Sequence, residues 1–129
     1  MLAVDTNVVV RYLVADDPSQ STAARTLIDG NDVFVCTTVI LETEWVLRSV
    51  YGFSATHCAK ALNDFAGLPT VTLEDPVTVR RALDWVRQRI DFADALHLAK
   101  AGDCDAFVSF DRAFLKAVKE LPGVKARTP

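Results

Sequence analysis

The feature that most constrains this chain is the alternation of short apolar runs with longer segments of helical pattern. The apolar runs predict strands at residues 2–4, 33–36, 70–73, 106–109 and 123–126. Each run is brief and mostly apolar rather than strictly alternating, which is typical of strands buried in a parallel sheet. The alternation therefore predicts an α/β fold, with a central parallel sheet and helices on both of its faces.

Helix start and stop signals divide the sequence between these runs. Pro18 follows two aspartates, Ser54 is a good capping residue, and glycines stand where several periodic segments stop. We predict helices over 18–29, 38–50, 54–66 and 76–89, one from Asp91 to Gly102, and a short last one from Asp111.

Composition bounds the class of protein. A chain of 129 residues is most simply one domain, 1–129, that is long enough to bury a core. No apolar run is long enough to span a bilayer, and no secretory signal pattern opens the sequence. The three cysteines are odd in number and lack a C-x-x-C spacing, so we expect neither a disulfide framework nor a structural zinc site, and a reduced, cytoplasmic setting.

Four acidic residues follow the predicted strands or open the predicted helices. Asp5 ends the first strand and Asp111 follows the fourth, whereas Glu42 and Asp94 fall in the first turns of helices. Ligands of parallel α/β sheets bind outside the carboxyl ends of the strands. We therefore expect the four acids to converge at one rim of the sheet.

Carboxylates gathered at one rim repel each other strongly in a partly buried site. A hard cation such as Mg²⁺ or Mn²⁺ removes that conflict, because it prefers oxygen ligands and accepts water in its remaining positions. The pattern thus predicts a divalent metal site.

Each acid also has a structural explanation. Asp5 and Asp111 fit as caps of the helices that follow them. Asp91 fits as the cap of its helix, with Asp94 favoured in the first turn by the helix dipole.

Glu42 is harder to explain structurally, because it interrupts an apolar stretch where a core helix would prefer leucine or alanine. Glu44, two residues on, must face elsewhere and is expected to face solvent or to pair with Arg48. Thr6, Asn7 and Ser109 are expected to orient the carboxylates, although Thr6 and Asn7 also fit as ordinary turn residues.

Two further features have open interpretations. His97 follows Asp94 by one helical turn and could be a metal ligand, a base, or a histidine satisfied by that carboxylate.

The net charge of −3 excludes a bulk-basic nucleic-acid binder, so polyanion binding would need metal ions or local basic patches. Basic residues concentrate in 80–89 and 116–127, which are candidates for such patches. The other explanation of these basic residues is that they lie on helix faces exposed to solvent.

Four segments together resemble a known family. DTNVVVRYL, TTVILETEWVLRS, DFADALHLA and VSFDRAF are similar to motifs of the PIN-domain ribonucleases, most closely the VapC toxins of bacterial toxin–antitoxin pairs. The resemblance runs along essentially the whole chain in order.

The resemblance implies a three-layer α/β/α sandwich and Mg²⁺- or Mn²⁺-dependent cleavage of RNA, such as a transfer or ribosomal RNA. Its acidic site corresponds to Asp5, Glu42, Asp94 and Asp111, with Thr6 and Ser109 as supporting residues and Asp91 as an extra acid. It also implies a homodimer and a VapB-type antitoxin whose peptide blocks the site. With no Ser-His-Asp or Cys-His arrangement in the sequence, hydrolysis would use metal-activated water.

Two other functions fit parts of this pattern. A haloacid-dehalogenase-type phosphatase also places an aspartate after its first strand, but it requires a second aspartate where this chain has Asn7. A catalytically silent domain that binds only protein or RNA has no reason to gather four acids.

Overall fold

The computed structural model describes all 129 residues. The chain divides into two compact units, Met1–Pro76 and Val77–Pro129, and each is described by itself. None of its helices combines the length and apolarity needed to cross a bilayer.

Strands and helices alternate along most of the chain. The five strands are β1 (Leu2–Ala3), β2 (Val33–Val35), β3 (Val71–Leu73), β4 (Phe107–Val108) and β5 (Ala126–Arg127). The seven helices are α1 (Thr6–Leu13), α2 (Pro18–Gly30), α3 (Thr37–Ser49), α4 (Ala55–Ala66), α5 (Pro76–Val86), α6 (Phe92–Lys100) and α7 (Arg112–Val118).

The sheet of the first unit is parallel, in the order β1-β2-β3. Val33 pairs with Leu2 on one side and with Val71 on the other, so β2 is the central strand. Val33 and Val35 are fully buried, as expected of a strand covered on both faces. The predicted α/β class with parallel strands is confirmed, and the arrangement is consistent with the α/β/α sandwich.

Helices of the first unit bury one face each. In α1, Val9 and Val10 are buried while Asn7 is exposed, and the helix packs on both α2 and α3. Ile28 of α2 and Leu47 of α3 are fully buried. Together they form the core that holds the N-terminal end of α1 next to the end of β1.

The second unit contains a parallel pair, β4-β5, and three helices. Phe107 of β4 makes an edge-to-face contact with Phe114 of α7, with ring centroids 5.6 Å apart. The prediction of a strand over 123–126 was wrong in its position, because the strand begins only at Ala126. Gly123 has φ of +75°, a turn conformation that an extended strand does not contain.

The end of α5 also differs from the prediction. The helix stops at Val86 instead of continuing to residue 89, because Arg89 has φ of +64° and Ile90 is buried. A left-handed residue cannot continue a right-handed helix.

Candidate active site

Asp5 and Glu42 line one cleft of the first unit, with a volume of about 270 Å³. Asp5 directly follows β1 and precedes α1, whereas Glu42 lies on the exposed side of α3. Thr6 and Asn7 line the same cleft, and Val10 and Val46 supply an apolar wall. The predicted proximity of two acids from distant parts of the chain is therefore observed within this unit.

The cap made by Asp5 is unusual. Its Oδ1 accepts a hydrogen bond from the Thr6 N–H at 2.7 Å, which is the first amide of α1. Capping side chains ordinarily bind the second or third amide. The other side-chain caps of this chain do so: Asp17, Ser54, Asp91 and Asp111.

This difference bears on the structural explanation of Asp5. The third amide of α1, that of Val8, is already satisfied by the Asp5 carbonyl at 3.1 Å. The side chain therefore adds little to the end of the helix, and its second oxygen is left to bind a ligand. Capping occurs, but it does not account for why a carboxylate is placed there.

Glu42 and Glu44 lie on opposite sides of α3. Glu44 is only 2 % exposed and forms an ion pair with Arg48 at 2.9 Å. Pairing with Arg48 was predicted and is confirmed, whereas the alternative that Glu44 faces solvent is wrong. Two residues along a helix correspond to about 200° of rotation, so an exposed Glu42 requires an inward Glu44. This geometry favours Glu42 as the functional acid.

Two carboxylates of the second unit affect the pKa of a third, that of Asp94. Burial raises the pKa of Asp94 above its ordinary value, and the negative charges of Asp91 and Asp111 raise it further, while His97 lowers it. Asp94 is half-buried in the first turn of α6, and His97 is exposed on the same helix. Negative charges close enough to raise a neighbour's pKa form an environment that favours a cation.

Local hydrogen bonds orient two of these acids. The Asp91 carboxylate accepts a hydrogen bond from the Ala93 N–H at 3.2 Å, and Asp111 accepts one from the Phe114 N–H at 3.0 Å. Ser109 Oγ accepts a hydrogen bond from the backbone N–H of Asp111 at 3.0 Å, which holds the main chain and not the carboxylate, so the supporting role of Ser109 stays a prediction.

The structure thus places Asp5 and Glu42 in one cleft of the first unit, while in the second unit the charges of Asp91 and Asp111 act on Asp94. No set of three or more histidine, cysteine, aspartate or glutamate side chains is gathered in an arrangement that could hold a metal ion. Mg²⁺ nevertheless commonly binds through one or two carboxylates and keeps several waters, so the Asp5–Glu42 donor set fits this ion. That all four acids form one site stays a prediction.

Two residues of the cleft were missed by the sequence reasoning. Arg11 and Tyr51 line the cleft together with the acids. Arg11 is one helical turn beyond Asn7, and this spacing was a signal that could have identified it. Tyr51 follows α3 and carried no local signal.

Another cavity, of about 460 Å³, lies in the second unit and has two basic residues and one acid in its lining. Arg81 and Lys125 both line it, so the two basic stretches predicted from sequence meet there. The Arg81 guanidinium lies 5.5 Å from the centre of the Trp85 ring, in a cation–π contact.

The model of the PIN domain family matches residues 2–120, a span that includes Asp5, Glu42, Asp94 and Asp111. No curated protein matches the chain. The PIN domain is a nuclease fold of α/β type, which confirms the predicted fold class. Because the match covers almost the whole chain, this chain belongs to the PIN domain family.

Proposed function

We propose that this protein is a metal-dependent endoribonuclease that acts as the toxin of a VapBC-type toxin–antitoxin pair. The observation that carries the proposal is the cleft in which Asp5 and Glu42 lie together, in a chain of the PIN family. We assign the catalytic and metal-binding roles to Asp5, Glu42, Asp94 and Asp111, and supporting roles to Thr6, Asn7, Ser109 and Asp91.

Mg²⁺ or Mn²⁺ would lower the pKa of a bound water and stabilise the charge that develops on a phosphodiester undergoing hydrolysis. The protein's own contribution is orientation. The Thr6 N–H holds one oxygen of Asp5, so that the other oxygen has a fixed direction. The pairing of Glu44 with Arg48 anchors α3 and keeps Glu42 on its exposed side.

The acids of the second unit are suited to the same role. The Phe114 N–H restrains the carboxylate of Asp111, and the Ala93 N–H restrains that of Asp91; the Ser109 hydroxyl holds the backbone N–H of Asp111. A half-buried Asp94 beside two further carboxylates gains from a cation that neutralises their repulsion. Restrained carboxylates bind a metal at a lower entropic cost than freely rotating ones.

The toxin role, the antitoxin and the homodimer rest on the resemblance to VapC toxins and on one surface feature. Trp45 is 57 % exposed and Val50 is 65 % exposed, and Val50 lines the cleft that holds Asp5 and Glu42. Large exposed apolar side chains beside an active site are typical of surfaces that bind another protein. We propose that a VapB-type antitoxin covers this surface in the cytoplasm, where the RNA substrate is found.

The test is cleavage of labelled small RNA by the purified protein with Mg²⁺, with Mn²⁺ and with EDTA. Asp5→Ala and Asp17→Ala form a matched pair, because both remove an aspartate that caps a helix and only Asp5 lies in the cleft. We expect metal-dependent cleavage by the wild type and by Asp17→Ala, and none by Asp5→Ala.

A different result would redirect the proposal. If the wild type cleaves no RNA with any metal, and binds Mn²⁺ no better than Asp5→Ala does, the catalytically silent binding domain becomes the better description. The phosphatase alternative is set aside, because the chain belongs to the PIN family.

A further inference from the structure

Arg11 is a cation in a cleft whose other charged residues are acids. Asn7, Val10 and Arg11 lie on one face of α1, and all three line the cleft that contains Asp5 and Glu42. Four residues along a helix correspond to about 6 Å, so the guanidinium lies roughly one turn further along α1 than Asn7. A positive charge this close to a predicted metal site needs an explanation.

The guanidinium is held by three neighbours. Nε donates to Gln20 Oε1 at 2.7 Å, and Nη1 donates to Asp16 Oδ1 at 2.9 Å and to the Tyr51 hydroxyl at 2.8 Å. The Tyr51 hydroxyl in turn donates to Asp16 Oδ2 at 2.8 Å. These partners come from α2, the loop before it and the segment after α3, so folding itself fixes the position of the guanidinium.

One side of the guanidinium stays unused. Every hydrogen bond of Arg11 goes through Nε or Nη1, and both N–H groups of Nη2 are without a protein partner. The side chain keeps 28 % of its surface exposed. A guanidinium that is already fixed and retains free donors is suited to bind a phosphate, since little side-chain entropy remains to be lost.

The electrostatics of the cleft point to the same ligand. Asp5 and Glu42 repel the phosphates of an RNA strand, and a metal ion relieves that repulsion only where it binds. A strand that continues past the metal needs a second cation, and Arg11 is the one basic residue among those that line this cleft.

We propose that Arg11 binds an RNA phosphate that flanks the one being cleaved, through Nη2, while Asp16, Gln20 and Tyr51 hold its guanidinium in place. The inference rests on the proposed nuclease function and adds to it the group that positions the strand. Arg11 is thus a substrate-binding residue, and Tyr51 and Gln20 are positioning residues that act through it.

The test uses an RNA oligonucleotide whose cleavage position has been mapped with the wild type. We expect Arg11→Gln to raise KM about 10-fold or more and to change kcat little, because a charge-assisted hydrogen bond to bound RNA is lost. Arg25→Gln is the matched control: it removes an exposed arginine of the same unit, away from the cleft, and we expect its KM to equal that of the wild type.

A neutral phosphate analogue separates binding from a purely structural role. Single methylphosphonate linkages are introduced at each position that flanks the cleavage site. For the wild type, we expect one flanking linkage to raise KM about as much as Arg11→Gln does; for Arg11→Gln, the same linkage should have no additional effect. A merely structural Arg11 would leave the wild type and the variant equally sensitive to every linkage.

Tyr51→Phe keeps the inference testable if Arg11→Gln does not fold. This substitution removes one hydrogen-bond partner of Arg11 and leaves the charge of the arginine, so we expect a smaller rise in KM, about 3-fold. We expect the sensitivity of the variant to the same methylphosphonate linkage to be reduced but not abolished. Equal KM values and equal linkage profiles for the wild type and the folded variants would overturn the inference while the nuclease function stands. Absence of any cleavage by the wild type would instead overturn the proposed function and, with it, this inference.

Discussion

The N-terminal ends of α1 and α2 are alike in sequence and differ in what surrounds them. Each helix follows an aspartate in extended conformation, Asp5 or Asp17, whose Oδ1 accepts a backbone hydrogen bond. Asp17 is partly exposed and binds the third amide of its helix, that of Gln20, at 3.1 Å. Asp5 binds only the adjacent amide and lines a cleft with Glu42.

The comparison separates two uses of the same residue. An aspartate at the start of a helix is sufficiently explained by capping when it binds the second or third amide. Where the carboxylate does not bind those amides and lines a cleft together with another acid, capping is no longer a sufficient explanation. The position of the accepted amide is thus a simple structural criterion for a helix-end carboxylate with a second role.

We expect the largest effect from a substitution that removes the charge of Asp5 but keeps its ability to cap the helix. Asparagine caps helices about as well as aspartate but is a poorer metal ligand. We expect Asp5→Asn to lower the rate of RNA cleavage by about 100-fold or more and Asp17→Asn to leave it unchanged, with similar melting temperatures for both. Equal rates for the two variants would reduce Asp5 to a cap.

Asp94→Asn extends the comparison to the second unit. Its carboxylate is half-buried beside Asp91 and Asp111, whose charges raise its pKa. Neutralising it should relieve repulsion, so we expect RNA cleavage to fall by about 100-fold while the free energy of unfolding in metal-free buffer stays the same or increases. Retained cleavage with a loss of stability would identify Asp94 as a helix-start acid only.

Glu42 and Glu44 provide the same contrast within one helix. We expect Glu42→Gln to lower RNA cleavage about 10-fold to 100-fold with little change in stability. Glu44→Gln should lower the free energy of unfolding by about 1–3 kcal/mol, because it weakens the buried ion pair with Arg48. Urea denaturation and cleavage assays on both variants measure this, and reversed effects would move the functional assignment to Glu44.

Replacing either capping aspartate by alanine should have a smaller effect, and the change in the free energy of unfolding should differ between α1 and α2. Asp17→Ala should lower the free energy of unfolding by about 1 kcal/mol, because the third amide of α2 loses its acceptor. Asp5→Ala should cost less, since the Val8 amide keeps the Asp5 carbonyl as its acceptor. A larger cost at Asp5, measured by chemical denaturation, would indicate that its main role is structural.

The smallest effect concerns Asp16, which precedes α2 and accepts hydrogen bonds from Arg11, in the last turn of α1, and from Tyr51. The Tyr51 hydroxyl and the Arg11 charge lower the pKa of Asp16 below its ordinary value of 3.8. Its contribution to stability is therefore present above that value and is lost as the pH falls through the lowered one. The unfolding free energy of Asp16→Asn should fall less steeply with acid than that of the wild type; identical slopes would contradict this.

Much of the fold followed from short-range patterns. The first three strands lie within a residue or two of their predicted positions, because short apolar runs mark them. Only β2 is largely buried, whereas both residues of β1 are exposed, unlike the buried strands that the pattern predicted. The weakest pattern, at 123–126, was misplaced, since a glycine inside it adopts a turn that composition alone does not reveal. The end of α5 was predicted too late in the chain for a similar reason, because the left-handed conformation of Arg89 is not revealed by composition.

The sequence by itself determined the α/β class, the parallel sheet and the candidate acids, because periodicity and cap signals act over a few residues. Only the tertiary structure decided that Glu42 rather than Glu44 is exposed beside Asp5, and that Arg11 and Tyr51 belong to the same cleft. Those relations join residues far apart in the chain, and they depend on how α1 and α3 pack in the first unit. Local signals do not carry that information, since packing fixes which side of each helix meets its neighbour.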